Sequence, residues 1–323
     1  MSTTSALEFS NLPTDAIGKI IEKCDLKEQL TLRKVSKNLR SLVDEQKIGY
    51  KSIQIDMTDS YIICWYNDKR VVYTSENWDK KGVRIVTDES CILRSEDYEK
   101  IALSDLSIAL KNPKLRLDKL IVSYYSNDRM RLFGLNSLLP DLNHQIHVKK
   151  LFVHAESPEY LQKNLLSILP CLKPKELGNI GVFVKDLDDR EPEEALKTVR
   201  KIANLEQWKQ AEELTTQDCF DDFPSEFLMH FKRFVILASG LREDFLINLR
   251  DFFSTSTNFE SCTIDSYDLA DCTEHLESFC EEVESGDPSI LLFHFKIPDN
   301  SRKFFEFKID YNEYVMVIEN KNF

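Results

Sequence analysis

The chain is predicted to be a mixed α+β / α/β protein. It has a helical module at the N-terminus, a short β-hairpin bridge, and a long body of strands and helices closed by C-terminal β-strands. Three observations predict this. Apolar residues recur at helical spacing over 12–45, they alternate with polar residues from about 50, and beyond 97 short apolar strand cores return at intervals near 30 residues.

Residues 12–45 read as three short helices. Pro13 is a good first-turn residue, and Ile17, Ile20, Ile21 and Cys24 share one helical face. Asp25 and Ser36 are placed to cap a second and a third helix, whose apolar residues are Leu26, Leu30, Leu32 and Val35, then Leu39, Leu42 and Val43. So short a module buries little surface and gains stability from a neighbour. The run LPTDAIGKIIEKCDLKEQLTLRKVSKNLRSLVD resembles an F-box, with Leu-Pro at its start, then Ile-x-x-Ile-Ile, Leu-x-Leu-Arg-Lys-Val-Ser and Leu-Arg-Ser-Leu-Val. Leu39 stands where many F-boxes carry Trp. The resemblance implies a docking surface for a Skp-type adaptor and, through it, a cullin. It implies Leu12, Pro13, Ile17, Ile20, Leu30, Leu32 and Val35 as adaptor-binding residues, among which single apolar side chains also serve as module core.

Residues 49–96 form the bridge. Ile53, Ile55 and Met57 alternate with polar residues, as do Tyr61, Ile63 and Trp65, and an Asn67-Asp68 turn precedes Val71 and Tyr73. From 97 onward the strand cores are 120–122, 151–153, 180–182, 234–236 and 262–264, with 213–215 inside the one long interval. Helical patterns lie between them at 128–139, 157–169, 192–203, 224–231, 242–254 and 268–284. A strand-then-helix period near 30 resembles an irregular leucine-rich-repeat-like solenoid, although the strict Leu/Asn signature is missing. The competing doubly wound fold lacks its phosphate-binding glycine motifs. Residues 289–323 read as strands that cover the end of the array.

The pieces LKNPKLRLDKLIV, LLSILPCLKP, LEQWKQAEELTT, HFKRFVILASGLREDFLINLRDFF and FFEFKIDYNEYVMVI occur in the order found in the FTH domain of the nematode F-box A family. This second resemblance covers about 97–323 and implies a substrate-recruiting subunit of an SCF-type ubiquitin ligase. The expected domains are therefore 10–48, 49–96 and 97–323. The alternative is an F-box-containing interaction scaffold acting outside ubiquitin transfer.

Charge and composition bound the partners. The chain has 323 residues, 42 Lys+Arg against 55 Asp+Glu, and a net charge of −13. A general nucleic-acid binder needs the opposite sign. No apolar run approaches a membrane span, and the opening residues lack signal-peptide character, so an intracellular location, cytoplasmic or nuclear, is expected. The eight cysteines include no C-x-x-C pair and read as reduced small hydrophobes.

Catalytic chemistry finds no foothold. Cys262, Cys272, His275 and Cys280 have zinc-ligand chemistry but poor spacing, and they fit a helical core stripe better. His144 and His147, and the carboxylates at 186–194, read as surface groups. No nucleophile motif is present, so no enzyme activity, metal or cofactor is expected. Tyr124, Tyr125, Arg129 and Arg131 follow the first repeat strand, on the kind of loop that binds partners in solenoids. Residues 251–295 hold 11 Asp+Glu and no Lys or Arg, so Glu277, Glu281 and Glu284 are candidate contacts to a target with a basic surface.

Overall fold

A computed structural model describes residues 12–24, 26–45, 50–75, 83–87, 91–94, 97–125, 134–184, 192–217, 224–238, 240–267, 269, 272–298 and 303–322. Among these, no helix is long and apolar enough to cross a membrane.

Three helices lead: α1 (Thr14–Lys23), α2 (Leu26–Val35) and α3 (Lys37–Glu45). Pro13 precedes α1, and its carbonyl accepts from the Ala16 and Ile17 amides. Ser36 caps α3 by accepting from the Leu39 amide at 3.1 Å. Asp25, the expected cap of α2, lies outside the described residues. Ile17 and Ile21 meet Leu39, Leu42 and Val43 in a small core of their own, with Leu12 and Leu32 packed at its edge. The Gln29 side-chain amide donates to the carbonyls of Ile21 and Cys24, satisfying groups that the end of α1 leaves open.

One sheet organises the rest. Its strands are β1 (Ser52–Thr58), β2 (Tyr61–Tyr66), β3 (Lys69–Ser75), β4 (Val83–Thr87), β5 (Cys91–Arg94), β6 (Arg116–Tyr125), β7 (His147–Ala155), β8 (Asn179–Val184) and β9 (Glu213–Gln217). They continue as β10 (Arg233–Leu237), β11 (Ser261–Asp265), β12 (Glu281–Val283), β13 (Ile290–Lys296), β14 (Lys303–Asp310) and β15 (Val315–Asn322). The helices between them are α4 (Tyr98–Leu110), α5 (Leu135–Leu138), α6 (Pro158–Ile168), α7 (Pro192–Ala203), α8 (Glu206–Gln210), α9 (Glu243–Thr255) and α10 (Cys272–Glu277).

The spatial order is β12-β13-β14-β15-β11-β10-β9-β8-β7-β6-β1-β2-β3-β4-β5. From β1 through β6 to β11 every neighbour is parallel, and the strands follow one another in chain order after β6. Antiparallel strands flank this block on both sides.

Register aligns the core. Ile53 pairs with Leu120, and the row continues through Leu151, Ile180, Leu214 and Phe234 to Cys262. It crosses into the antiparallel strands as Ile318, Phe307 and Phe293. All are buried. Because the side-chain period of a strand is 2, a one-residue slip anywhere would turn a whole strand's apolar set to the opposite face.

Three elements differ from the sequence expectation. The segment expected as a bridge is part of this sheet: Ile53, Ile55 and Met57 pair with Leu120, Val122 and Tyr124, so β1 is held between two strands. The helix expected over 268–284 is shorter. α10 ends at Glu277, and Glu281–Val283 pairs with β13, an edge pairing that overrides the helical spacing of Cys272, Leu276 and Phe279. The expected helix at 224–231 is a single 3-10 turn, Ser225–Phe227, because the stretch closes a turn onto buried Leu228 and Phe231.

Candidate functional site

Among the described residues, two surfaces present large apolar side chains to solvent. The first is on the helical module. Pro13 is exposed, Ile20 is 40% exposed and Val35 is 66% exposed. Ile17, at 4%, belongs to the module core, because positions 17 and 21 share the inward face of α1 while 20 turns outward. Leu12 and Leu32 are half-buried against that core. Leu30 lies on α2 with its side chain outside the described residues.

The second surface is one rim of the sheet. The exposed large aromatics of the described residues are Tyr61, Tyr125, Tyr267 and Tyr314. Tyr125 ends β6, and Tyr267 follows β11. Tyr61 opens β2, which runs antiparallel from the end of β1, and Tyr314 precedes β15, which runs antiparallel from the end of β11. All four therefore stand at the end toward which the parallel strands run, where α/β sheets bind their ligands.

Tyr125 was anticipated from sequence and lies on this rim. Tyr124 is placed differently: at 5% exposure it faces the core, with its hydroxyl 3.1 Å from the Asn136 Oδ1, because neighbours on a strand point to opposite faces. Arg129 and Arg131 lie outside the described residues. Glu277, Glu281 and Glu284 are exposed, but on three different pieces of backbone: the end of α10, the edge strand β12 and the turn beyond it. Tyr267 and Tyr314 were not singled out from sequence, since each sits at an element end, and Tyr61 was read in an alternating apolar set with Ile63 and Trp65, whereas β2 buries the opposite set, Ile62, Cys64 and Tyr66.

The sheet face away from the buried row carries a third cluster. The Lys119 ammonium lies 4.7 Å from the Phe152 ring centre, and Phe152 stacks on Phe183 at 6.1 Å. His154 stacks on Phe183 at 4.3 Å. Burial pulls the His154 pKa down, Asp56 opposes this, and Lys119 adds to it, so the stacked imidazole favours its neutral form. Gly181 makes room: a Cβ there would stand 2.2 Å from the Phe152 Cδ1.

The other sequence candidates have ordinary surroundings. Cys262 and Cys272 are buried, and the Cys272 thiol donates to the Leu269 carbonyl at 2.8 Å. Burial pushes the Cys280 thiol up to about 12 against the opposing charge of Arg250. Among the described residues no His, Cys, Asp and Glu grouping is arranged to hold a metal ion. His147 Nδ1 lies 2.5 Å from the Glu176 Oε2, while His144 Nδ1 meets Asn143. The acidic residues 186–191 lie outside the described residues, as do the side chains of Glu193 and Glu194.

The QWKQA run resolves into a structural clasp. The Gln207 amide donates to the Leu172 carbonyl at 2.7 Å, and the buried Trp208 indole donates to the Phe227 carbonyl at 3.1 Å.

The comparisons agree with this layout. The F-box domain family model matches residues 9–51, the segment holding α1 to α3, and the FTH domain model matches residues 134–281, from α5 to the start of β12. The chain is an F-box protein. An FTH domain follows its F-box. The chain is similar to F-box A protein 224 of Caenorhabditis elegans, at 21% identity over 307 residues, spanning 91% of this chain and 75% of that protein. No solved structure matches it.

Proposed function

We propose that this chain is the substrate-recognition adaptor of an SCF-type ubiquitin ligase. Residues 10–48 dock a Skp-type adaptor and through it a cullin, and residues 97–323 hold a target protein. The observation that carries the reading is the exposed Pro13, Ile20 and Val35 on a helical module whose described core they do not enter. The sequential parallel strands from β6 to β11 support reading the body as an irregular leucine-rich-repeat-like solenoid. Its tyrosine-bearing rim, with Tyr125, is a surface for the target, and the exposed acidic residues Glu277, Glu281 and Glu284 around β12 offer it further contacts. No catalytic group is required, since holding a target near a ubiquitin-loaded enzyme raises the local concentration of its lysines.

The test uses the exposed positions. Ile20→Asp with Val35→Asp should abolish pull-down of a Skp-type adaptor by the full chain, because hot-spot apolar anchors are lost. Thermal unfolding should be unchanged, because neither side chain fills the core. Ile17→Asp is a poorer probe, since a buried charge there would unfold the module. Retained adaptor binding in the double variant would overturn the assignment. If adaptor is captured without cullin, the chain acts as a scaffold outside ubiquitin transfer.

A further inference from the structure

We propose that Tyr267 and Tyr314 form a receptor for an arginine or lysine side chain of the recruited protein. This deepens the reading above, because it gives the rim a ligand chemistry.

Tyr267 is 91% exposed and Tyr314 is 52% exposed. Rings left this open contribute little to folding by burial. Yet the two are held together, with ring centres 6.1 Å apart and planes tilted by 50°. The backbone fixes the pair: the Ser266 amide donates to the Tyr314 carbonyl at 3.2 Å, which joins the loop after β11 to the turn before β15. The Asp310 carboxylate accepts from the Asn312 and Glu313 amides and shapes that turn.

Tyr314 also holds a costly conformation. Its φ is 55°, a left-handed value that bulky side chains rarely adopt and that Gly or Asn would take with less strain. The turn alone does not call for a tyrosine at this position. A surface ring does.

The occupant follows from charge. Asp265, just before the loop of Tyr267, and Glu313, next to Tyr314, are both exposed. Residues 251–295 carry 11 Asp+Glu without a single Lys or Arg. Tyrosine π-faces attract cations, and carboxylates beside them add to that attraction. An acidic or neutral segment would gain nothing from this combination.

The test titrates the full chain with a fluorescein-labelled decapeptide of alternating Arg and Ser, and with the same peptide carrying citrulline for Arg. Anisotropy should report binding of the arginine peptide, weakening with added salt, and none of the citrulline peptide. Tyr267→Ala should weaken binding about fivefold or more, while Tyr267→Phe retains it. Tyr314→Gly should weaken binding without lowering the melting temperature, since glycine relieves the strained φ. The proposal is overturned if the two peptides bind alike or if the arginine peptide does not bind. It is also overturned if Tyr267→Ala binds like the wild type while Glu277→Lys, Glu281→Lys and Glu284→Lys together abolish binding, which would leave surface charge alone as the cause. Neither adaptor nor cullin is present in this titration, so its failure leaves the ligase reading standing, and loss of that reading leaves the titration unaffected.

Discussion

Trp208 shows how much one side chain can tie together. Its indole reaches the Phe227 carbonyl, its ring meets Phe231 edge-on at 5.3 Å, and its own carbonyl accepts from the His230 Nε2 at 2.8 Å. Burial lowers the His230 pKa against the opposing backbone hydrogen bonds of Trp208 and Phe227, which keeps this imidazole neutral and able to donate from one nitrogen. Trp208→Phe keeps most of the ring volume but removes the indole donor. It should cost about 1–3 kcal/mol, read as a lower denaturant midpoint at unchanged m-value. A midpoint unchanged within error would mean the Phe227 carbonyl has found another donor. The QWKQA run stood out in the sequence as a family marker, but its reason did not, because the carbonyls it satisfies lie 35 and 19 residues away. Tyr124 and Tyr125 teach the converse lesson. Their strand was legible, and which of them faced solvent was not, since parity depends on where pairing with β1 begins.

At the scale of elements, the strand cores were legible wherever apolar residues cluster, from Leu120 to Cys262. Their order in space was not, since β1 docks against β6 across an intervening meander and helix. An ion-pair lattice joins the starts of three neighbouring strands. Glu212 pairs with Lys232 at 2.7 Å and with Arg233 at 3.2 Å, and Arg233 reaches Glu260 at 2.9 Å. The hydrogen bonds from Lys232 and Arg233 hold the Glu212 carboxyl below its ordinary value of 4.5. A folded-state pKa lowered in this way gives stability that is fully present above the unfolded value and is lost as pH falls through the folded one. Glu212→Gln should therefore lower the melting temperature at neutral pH, with the difference from wild type closing as pH falls below 4.5 and through the lowered folded-state pKa. A difference that persists in acid would assign the effect to packing. Added salt should shrink it at neutral pH, because these groups are exposed.

For the molecule as a whole, the two apolar clusters share no residue. Residues 1–48 hold 8 Lys+Arg and 7 Asp+Glu, so the module is +1 and the remainder carries −14 of the net −13. Deleting residues 1–48 should leave a body that melts cooperatively within a few degrees of its transition in the full chain. A non-cooperative melt would show that the module completes the body's core. The change of apolar period near residue 50 was legible in the sequence. The continuity of the sheet through 52–94 was not, because nothing local announces that a meander will be extended by a parallel neighbour.

An open sheet ends twice, and each end is a template on which another chain's backbone can add. Here one margin is the three-residue β12 with its exposed Glu281 and Glu282, and the other is the four-residue β5. So short a margin offers few unpaired amides and carbonyls, and a carboxylate on either face of it repels an identical margin from a second molecule. Glu281, read from sequence as a contact for a basic partner, thus also guards the growing end of the sheet, admitting positive charge while turning away a copy of the chain itself.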